Sequence, residues 1–403
     1  MRELYVEQYG RLALWGHCLM NSGLGCVSAP SDLSKGHLVM LTRQKVLTFK
    51  STLSIPILLA GLIFFSLPAR ARGTSPFAQL KLSASASTCR QDTEISSTEL
   101  AAIDDAAISF VRTAIGSDPD AAYRKLSDKA KASTSQKQFE SYMRMAVDPF
   151  APFAALAITH TYLANVLGTP QDNRVLCGAL SKPEDWVSFK VEPSSRQAWV
   201  LIDGKARNNN WTFAAWLIPV GGTWQINSVN AGASTLANQS AADLWKTAER
   251  EHARQHSFNA FVLYNTVLQL SVRGPLFEYG IASAIRETLS NTPSPALFQG
   301  KPPFTWQLGH DQFQVINAGA LAVAGKIYLD IAYLAKPWKN YDEVDREDRK
   351  LIESFASAIP EYSAVFAGII AEAHEIGGTQ GYRTVAVVHN GSLEILPPPG
   401  GER

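Results

Sequence analysis

Residues 211–231 read WTFAAWLIPVGGTWQINSVNA and contain two strand-like runs on either side of a glycine pair. Gly221-Gly222 favours the tight turn of a β-hairpin. Side chains alternate between the two faces of a strand, and both faces are fairly apolar here: Trp211, Phe213, Ala215 and Leu217 lie on one, and Thr212, Ala214, Trp216 and Ile218 on the other. One face is therefore expected to bury helices, and the other to line a cavity.

Further strand-like segments precede this hairpin. The run THTYLANVLG covers residues 159–168, and apolar runs follow at Trp186–Val191 and Gln197–Ala206. Short segments rich in Pro, Ser and Asn separate them, as in hairpin connections. Together the segments predict an antiparallel meander that ends at Ala231.

Three short helices are predicted before the meander. Ser96 and Glu99 have the spacing of a capping box, and apolar residues then recur at helical spacing as far as Ile115. Asp118-Pro119 supplies a cap and a first-turn proline for a second helix, and a third helix follows Ser133.

Helices followed by a curved meander that closes on Gly221-Gly222-Thr223-Trp224-Gln225-Ile226 resemble the nuclear-transport-factor-2-like superfamily. The resemblance covers about residues 96–235 and implies a cone-shaped α+β domain. Members similar to ketosteroid isomerases and dehydratases place an acid, a Tyr or a His in the cone, whereas others bind ligands or partners. No enzyme motif matches residue by residue, so the resemblance implies the fold and no catalytic roles.

Residues 238–292 predict a helical connector. The helix pair at about 241–274 is similar to a single tetratricopeptide repeat, but no second copy follows at the expected period. A structural helical hairpin between two domains is the alternative.

Residues 300–392 predict a small C-terminal α+β unit, before a tail at 393–403. Strands are expected at Phe313–Ile316 and Leu321–Leu334, helices at Asp345–Ala358 and Glu361–Glu375, and a last strand at Tyr382–Val388. The predicted fold class is thus α+β: helices packed on a curved antiparallel meander, then a helical connector, then a small C-terminal α+β unit.

An apolar run from Leu53 to Leu67 follows basic residues and precedes Pro68-Ala69-Arg70-Ala71. This is the order of a signal peptide, here residues 40–71, with cleavage after Ala71. Residues 1–39 then predict an upstream extension, mistranslated or disordered, and 72–95 a linker. The expected location is periplasmic or secreted. An uncleaved membrane anchor with an exported domain is the rival interpretation.

Composition narrows the possible partners. The 403 residues have a formal net charge of +1, and no basic run interleaves with aromatic residues. Nucleic acid is therefore not an expected partner, because its binding depends on concentrated positive charge. A membrane contact is expected only through the signal segment if that segment is retained. No phosphate-binding or dinucleotide-binding motif is present, and no cofactor is predicted.

After removal of the signal segment, Cys89 and Cys177 are the only cysteines left. An exporting compartment permits them to pair. Two free buried thiols are the alternative.

His160, Tyr162, Trp199 and Trp216 are the candidate pocket residues of the meander. His160 is a possible general base or hydrogen-bond donor, although a surface position also fits the alternation. The tryptophans suit an apolar ligand, although aromatic side chains more often fill a core.

Other titratable residues have weaker patterns. His252 and His256 lie four apart on a predicted helix, but a third metal ligand is not evident. Asp330 interrupts an apolar strand, as a buried acid or a solvated edge residue. His374 is expected to close a helix, where it would interact with the helix dipole.

These patterns predict an exported, non-enzymatic binding or interaction protein, with a hydrophobic or amphipathic small molecule as the candidate ligand. An isomerase or dehydratase that acts in the cone is one alternative. An envelope structural component with an uncleaved anchor is another.

Overall fold

The computed structural model describes residues 87–116, 118–146, 153–170, 173–206, 210–378, 381–389 and 391–396. The extension, the signal segment, most of the linker and the end of the tail lie outside the described residues. Within the described part, no helix combines the length and the apolar character needed to cross a membrane.

The chain is an α+β protein with mostly antiparallel sheets. The helices are α1 (Ser97–Ile115), α2 (Pro119–Arg124), α3 (Asp128–Ser133), α4 (Gln136–Ala146), α5 (Ala241–Ala253), α6 (Ser257–Leu270), α7 (Gly280–Asn291) and α8 (Tyr341–Ala358). The strands before the connector are β1 (Thr88–Gln91), β2 (Ala154–Asn165), β3 (Arg174–Gly178), β4 (Trp186–Lys190), β5 (Arg196–Lys205), β6 (Asn210–Val220) and β7 (Thr223–Ala233). The later strands are β8 (Thr235–Leu236), β9 (Gln239–Ser240), β10 (Val272–Arg273), β11 (Phe277–Tyr279), β12 (Phe304–Leu308), β13 (Asp311–Val323), β14 (Lys326–Ala335), β15 (Gly368–Glu375), β16 (Gly381–His389) and β17 (Ser392–Ile395).

The first sheet has the order β1-β2-β5-β6-β7, and all of its pairs are antiparallel. The hairpin predicted at Gly221-Gly222 is confirmed, because Val220 pairs with Thr223 across it. Register shifts interrupt β2 twice and the β6–β7 pair once. Bulges of this kind bend a strand and increase its twist, so they curve the sheet around its helical layer.

Four helices lie between β1 and β2, not three. Asp118 caps α2 as predicted, since its Oδ1 accepts the Ala121 amide at 2.8 Å. Helix α1 begins directly after Ser96, but the predicted capping box is absent, because the Ser96 side chain makes no cap hydrogen bond. The additional helix, α3, is capped by Ser127, whose hydroxyl accepts the Ala130 amide.

The predicted meander is interrupted by a second sheet. The segment that begins at Trp186 forms β4, which pairs with β3 and β11 in a sheet of order β10-β11-β4-β3. It was expected beside β5 in the meander, and that was wrong. The physical reason is that both faces of the first sheet are apolar: the helices cover one face, and a second layer must cover the other.

The C-terminal sheet has the order β12-β13-β14-β15-β16-β17 and is antiparallel except for β14 and β15. The predicted strand Leu321–Leu334 is in fact two strands, which turn at Ala324 and Gly325, both with positive φ. The predicted helix Glu361–Glu375 is a short 3-10 turn followed by strand β15. Because β15 lies between two partner strands and is buried on both faces, strand pairing outweighs the helical propensity of its Ala and Glu residues.

Helices α5, α6 and α7 share one hydrophobic core with the C-terminal sheet and α8. Ser240 caps α5 through a box with Asp243. Residues 88–91, which fall in the predicted linker, are an edge strand of the first sheet.

Candidate functional site

Three of the four candidate pocket residues lie on the face of the first sheet that contacts the second sheet. Trp199 has no exposed surface, and its ring stacks on Trp216 with centroids 5.6 Å apart and planes 9° apart. Tyr162 packs near Phe189 and Phe277 with centroid distances of 6.0 and 6.4 Å. We call Tyr162, Phe189, Trp199, Trp216 and Phe277 the aromatic cluster. It forms the interior between the two sheets.

Polar atoms in the aromatic cluster are only partly satisfied. Trp199 Nε1 donates to the Lys190 carbonyl oxygen at 3.3 Å. Trp216 Nε1 is buried without a hydrogen-bond partner among the described residues. Burial raises the pKa of Tyr162 far above its usual range, with smaller contributions from Tyr279 and Asp92. Tyr162 is therefore a neutral phenol in this cluster and no ready base.

His160 lies at the margin of the cluster, and about half of its side chain is exposed. Its Nδ1 is 3.1 Å from Asp92 Oδ2, and its ring centroid is 6.0 Å from that of Tyr162. The other Asp92 oxygen accepts the Thr161 amide at 2.8 Å, and the Thr161 hydroxyl donates to Asp104 at 2.6 Å. Burial raises the pKa of Asp104, an effect that the Thr161 hydrogen bond opposes.

This polar chain from His160 to Asp104 joins β2 to the segment after β1 and to α1. The sequence pattern indicated His160 but neither aspartate. Asp92 follows a polar strand and Asp104 lies on a helix, so no local signal relates them to residue 160. The arrangement can hold a proton between an imidazole and a carboxylate at the protein surface.

A small cavity lies on the opposite face of the first sheet, under the helices. Its volume is about 10 Å³, which is about the space that one water molecule needs. Apart from the Tyr142 hydroxyl its lining side chains carry no oxygen or nitrogen: Phe110, Val111, Ala114, Tyr142, Met143, Phe213, Val229 and Ala231. Trp199 and Trp216 are not part of this lining, because their side chains point to the other face of the sheet.

Cys89 and Cys177 form a disulfide, with Cα atoms 5.7 Å apart. This separation is typical of disulfides. Cys89 lies on edge strand β1 of the first sheet, and Cys177 on edge strand β3 of the second. The bridge therefore closes one side of the interior that holds the aromatic cluster.

A second polar group lies on one face of the C-terminal sheet. Glu372 of β15 is buried and pairs with Arg383 at 2.6 Å and with His374 at 3.4 Å. His374 was expected at a helix end, and that was wrong, because it belongs to a central strand. Although burial acts to raise the pKa of Glu372, its hydrogen bonds and the positive charge of Arg383 lower it overall.

Asp330 of β14 is close to this group. Its Oδ1 is buried without a hydrogen-bond partner among the described residues. Burial, and then the charge of Glu372, raise the pKa of Asp330 to about 7, against opposing effects of Arg383 and His374. Of the two possibilities that the sequence left open, the structure is nearer to the buried acid, since the residue is half-buried and its Oδ1 is removed from solvent.

A third buried carboxyl, Asp348, lies on α8. Its Oδ1 accepts the Tyr333 hydroxyl at 2.8 Å, whereas its Oδ2 has no partner among the described residues. Burial raises the pKa of Asp348 to about 8, although the hydrogen bond from Tyr333 acts in the opposite direction. No pattern in the sequence singled out this residue, which is one charge among many on an amphipathic helix.

His252 and His256 do not share a helix face. His252 lies in α5, whereas His256 precedes α6 and contacts Glu251, with Nδ1 2.7 Å from Oε2. Glu251 also accepts from Asn259 at 2.8 Å and from Arg254 at 3.1 Å, so this group holds the turn between the two helices. In the described ranges, no group of three or more His, Cys, Asp or Glu side chains is arranged to hold a metal ion.

Comparisons of the chain with family models, with curated proteins and with solved structures give no match.

Proposed function

We propose that the chain is an exported, non-enzymatic interaction protein. The observation that carries the proposal is the Cys89–Cys177 disulfide, which joins residues 88 positions apart. Disulfides persist in oxidising compartments and are rare in the cytosol. The apolar run from Leu53 to Leu67, which follows basic residues, is consistent with export from the cytosol.

The proposal includes a nuclear-transport-factor-2-like domain over about residues 96–235, followed by a helical connector and a C-terminal α+β unit. Helices α1 to α4 come first, and β5, β6 and β7 then follow as sequential antiparallel strands. This order of elements supports the resemblance. The second sheet, β10-β11-β4-β3, is an addition that the resemblance does not imply.

The packing of the aromatic side chains favours a non-enzymatic role. Trp199 contacts both Trp216 of the first sheet and Phe277 of the second, and all three are buried. The one imidazole near them, His160, pairs with Asp92 at the surface. The rings that could contact a substrate in a catalytic cone therefore contact each other inside the protein. Partners would bind to its outer surface.

Export is tested by locating the full chain and a variant that lacks residues 53–67. We expect the full chain in the exported fraction, and the variant in the cytosol. An alkaline carbonate wash then separates the two forms of the proposal: a cleaved protein is released, whereas an anchored envelope component stays with the membrane. Cytosolic location of both chains would contradict the proposal.

The cavity under the helices does not favour a small apolar ligand as a second candidate, because its volume of about 10 Å³ has room for about one water molecule.

A further inference from the structure

Strand β1 contributes little buried surface to the fold. Thr88, Arg90 and Gln91 are exposed, and only Cys89 is half-buried. The strand nevertheless occupies the edge of the first sheet, where it pairs with Tyr162 to Asn165 of β2. Packing alone therefore gives β1 only a weak attachment.

Two other contacts hold this segment. The disulfide ties Cys89 to the edge of the second sheet. Asp92, whose φ is +45°, turns the chain and binds the Thr161 amide and the exposed His160 ring. A surface pair such as His160 with Asp92 contributes little to stability. The first firm apolar anchor after the strand is Ile95, which is buried.

We propose that the Cys89–Cys177 bridge is a redox-sensitive latch: reduction releases β1 up to Asp92 and uncovers the edge of β2, while the rest of the fold stays intact. The inference rests on the contacts of β1 and goes beyond the proposed interaction role. An uncovered edge presents unpaired backbone groups to which another extended chain can add.

The two sulfurs differ in access, because Cys177 is buried and Cys89 is half-buried. A thiolate of a dithiol reductant attacks Cys89 Sγ, forms a mixed disulfide and displaces Cys177 as its thiolate. The second thiol of the reductant then displaces Cys89. Two electrons and two protons pass to the protein, whose cysteines end as thiols, and the reductant ends as a disulfide.

The test uses the full chain with Cys18→Ser and Cys26→Ser, so that only this bridge responds to reductant. Trypsin cleavage after Arg90 reports release of the strand, and cleavage after Arg254, in the α5–α6 turn, is the internal reference. On reduction, or in a further Cys89→Ser/Cys177→Ser variant, we expect cleavage after Arg90 to be at least tenfold faster and cleavage after Arg254 to be unchanged.

Hydrogen exchange on the same samples separates a local latch from a general staple. The latch predicts that only peptides over residues 88–92 and 160–166 lose protection, while peptides from β5 and β6 keep theirs. Unchanged cleavage after Arg90 would overturn the proposal, because packing would then hold β1. Loss of protection throughout β5 and β6 would also overturn it, since reduction would then unfold the whole region.

Discussion

The first sheet and the C-terminal sheet bury different chemistry. The aromatic cluster fills the interior beside the first sheet with rings of Trp, Phe and Tyr. The C-terminal sheet instead carries the buried Glu372 and the half-buried Asp330, and α8 packs the buried Asp348 against it. Aromatic packing does not depend on pH, whereas a buried carboxyl couples folding to protonation. We therefore expect the stability of the first region to be insensitive to pH, and the stability of the C-terminal region to change with pH.

Trp199→Ala should cause the largest loss of stability in the first region. The side chain has no exposed surface and contacts three other rings of the aromatic cluster. Removing a buried Trp costs about 3–5 kcal/mol, because it forfeits apolar transfer and leaves a cavity. Denaturant unfolding should show this loss, whereas Val220→Ala at an exposed position should change stability by about 0.5 kcal/mol or less. A small effect of Trp199→Ala would mean that the two sheets do not depend on this interior.

The C-terminal region should lose stability as the pH rises. The pKa of Asp330 is raised to about 7 and that of Asp348 to about 8, so the folded state retains protons that the unfolded state has released. The contribution of these two groups is therefore highest below the unfolded-state pKa of about 4, falls between about pH 4 and these values, and levels off above them. Each group contributes at most about 1.4 kcal/mol per pH unit.

Glu372 has the opposite sign, since its pKa is lowered and its contribution is lost only in acid. Denaturant unfolding between pH 5 and pH 9 checks the prediction, with Asp348→Asn expected to flatten the curve. Trp199→Ala is the matched control from the first region: it should lower the whole curve without changing its slope. A slope as steep as that of the unmodified protein in both Asp348→Asn and Asp330→Asn would contradict the comparison.

His160→Ala should have the smallest effect. The imidazole is about half exposed and its main polar partner is Asp92, so its loss should cost about 1 kcal/mol or less. Binding of any partner that uses the protein's other surfaces should be unchanged. A catalytic turnover that disappears in this variant while the fold is retained would favour the isomerase or dehydratase alternative.

Local signals in the sequence predicted local structure well. Gly221-Gly222 predicted a hairpin, and Asp118-Pro119 predicted a helix start, because each depends on residues only a few positions apart. The second sheet was missed because β4 pairs with β11, about 90 residues further along the chain. Strand β15 was predicted as a helix because its conformation depends on its pairing with β14 and β16. The residues of β15 alone carry no sign of either partner.

The candidate site was predictable to a similar degree. The sequence singled out Tyr162, Trp199 and Trp216 as candidate pocket residues, but it could not show that a second sheet would cover them. The environments of Asp330 and Asp348 depend on elements packed from elsewhere in the chain, so the local sequence could not determine them.

Peptide mapping of the exported protein, digested with trypsin without reduction, tests the account most directly. An exported protein whose two sheets are joined by the Cys89–Cys177 bridge should yield residues 82–90 linked to residues 175–190, and no peptide from residues 1–71. Separate alkylated peptides that carry free Cys89 and Cys177, together with peptides from residues 1–71, would contradict the account.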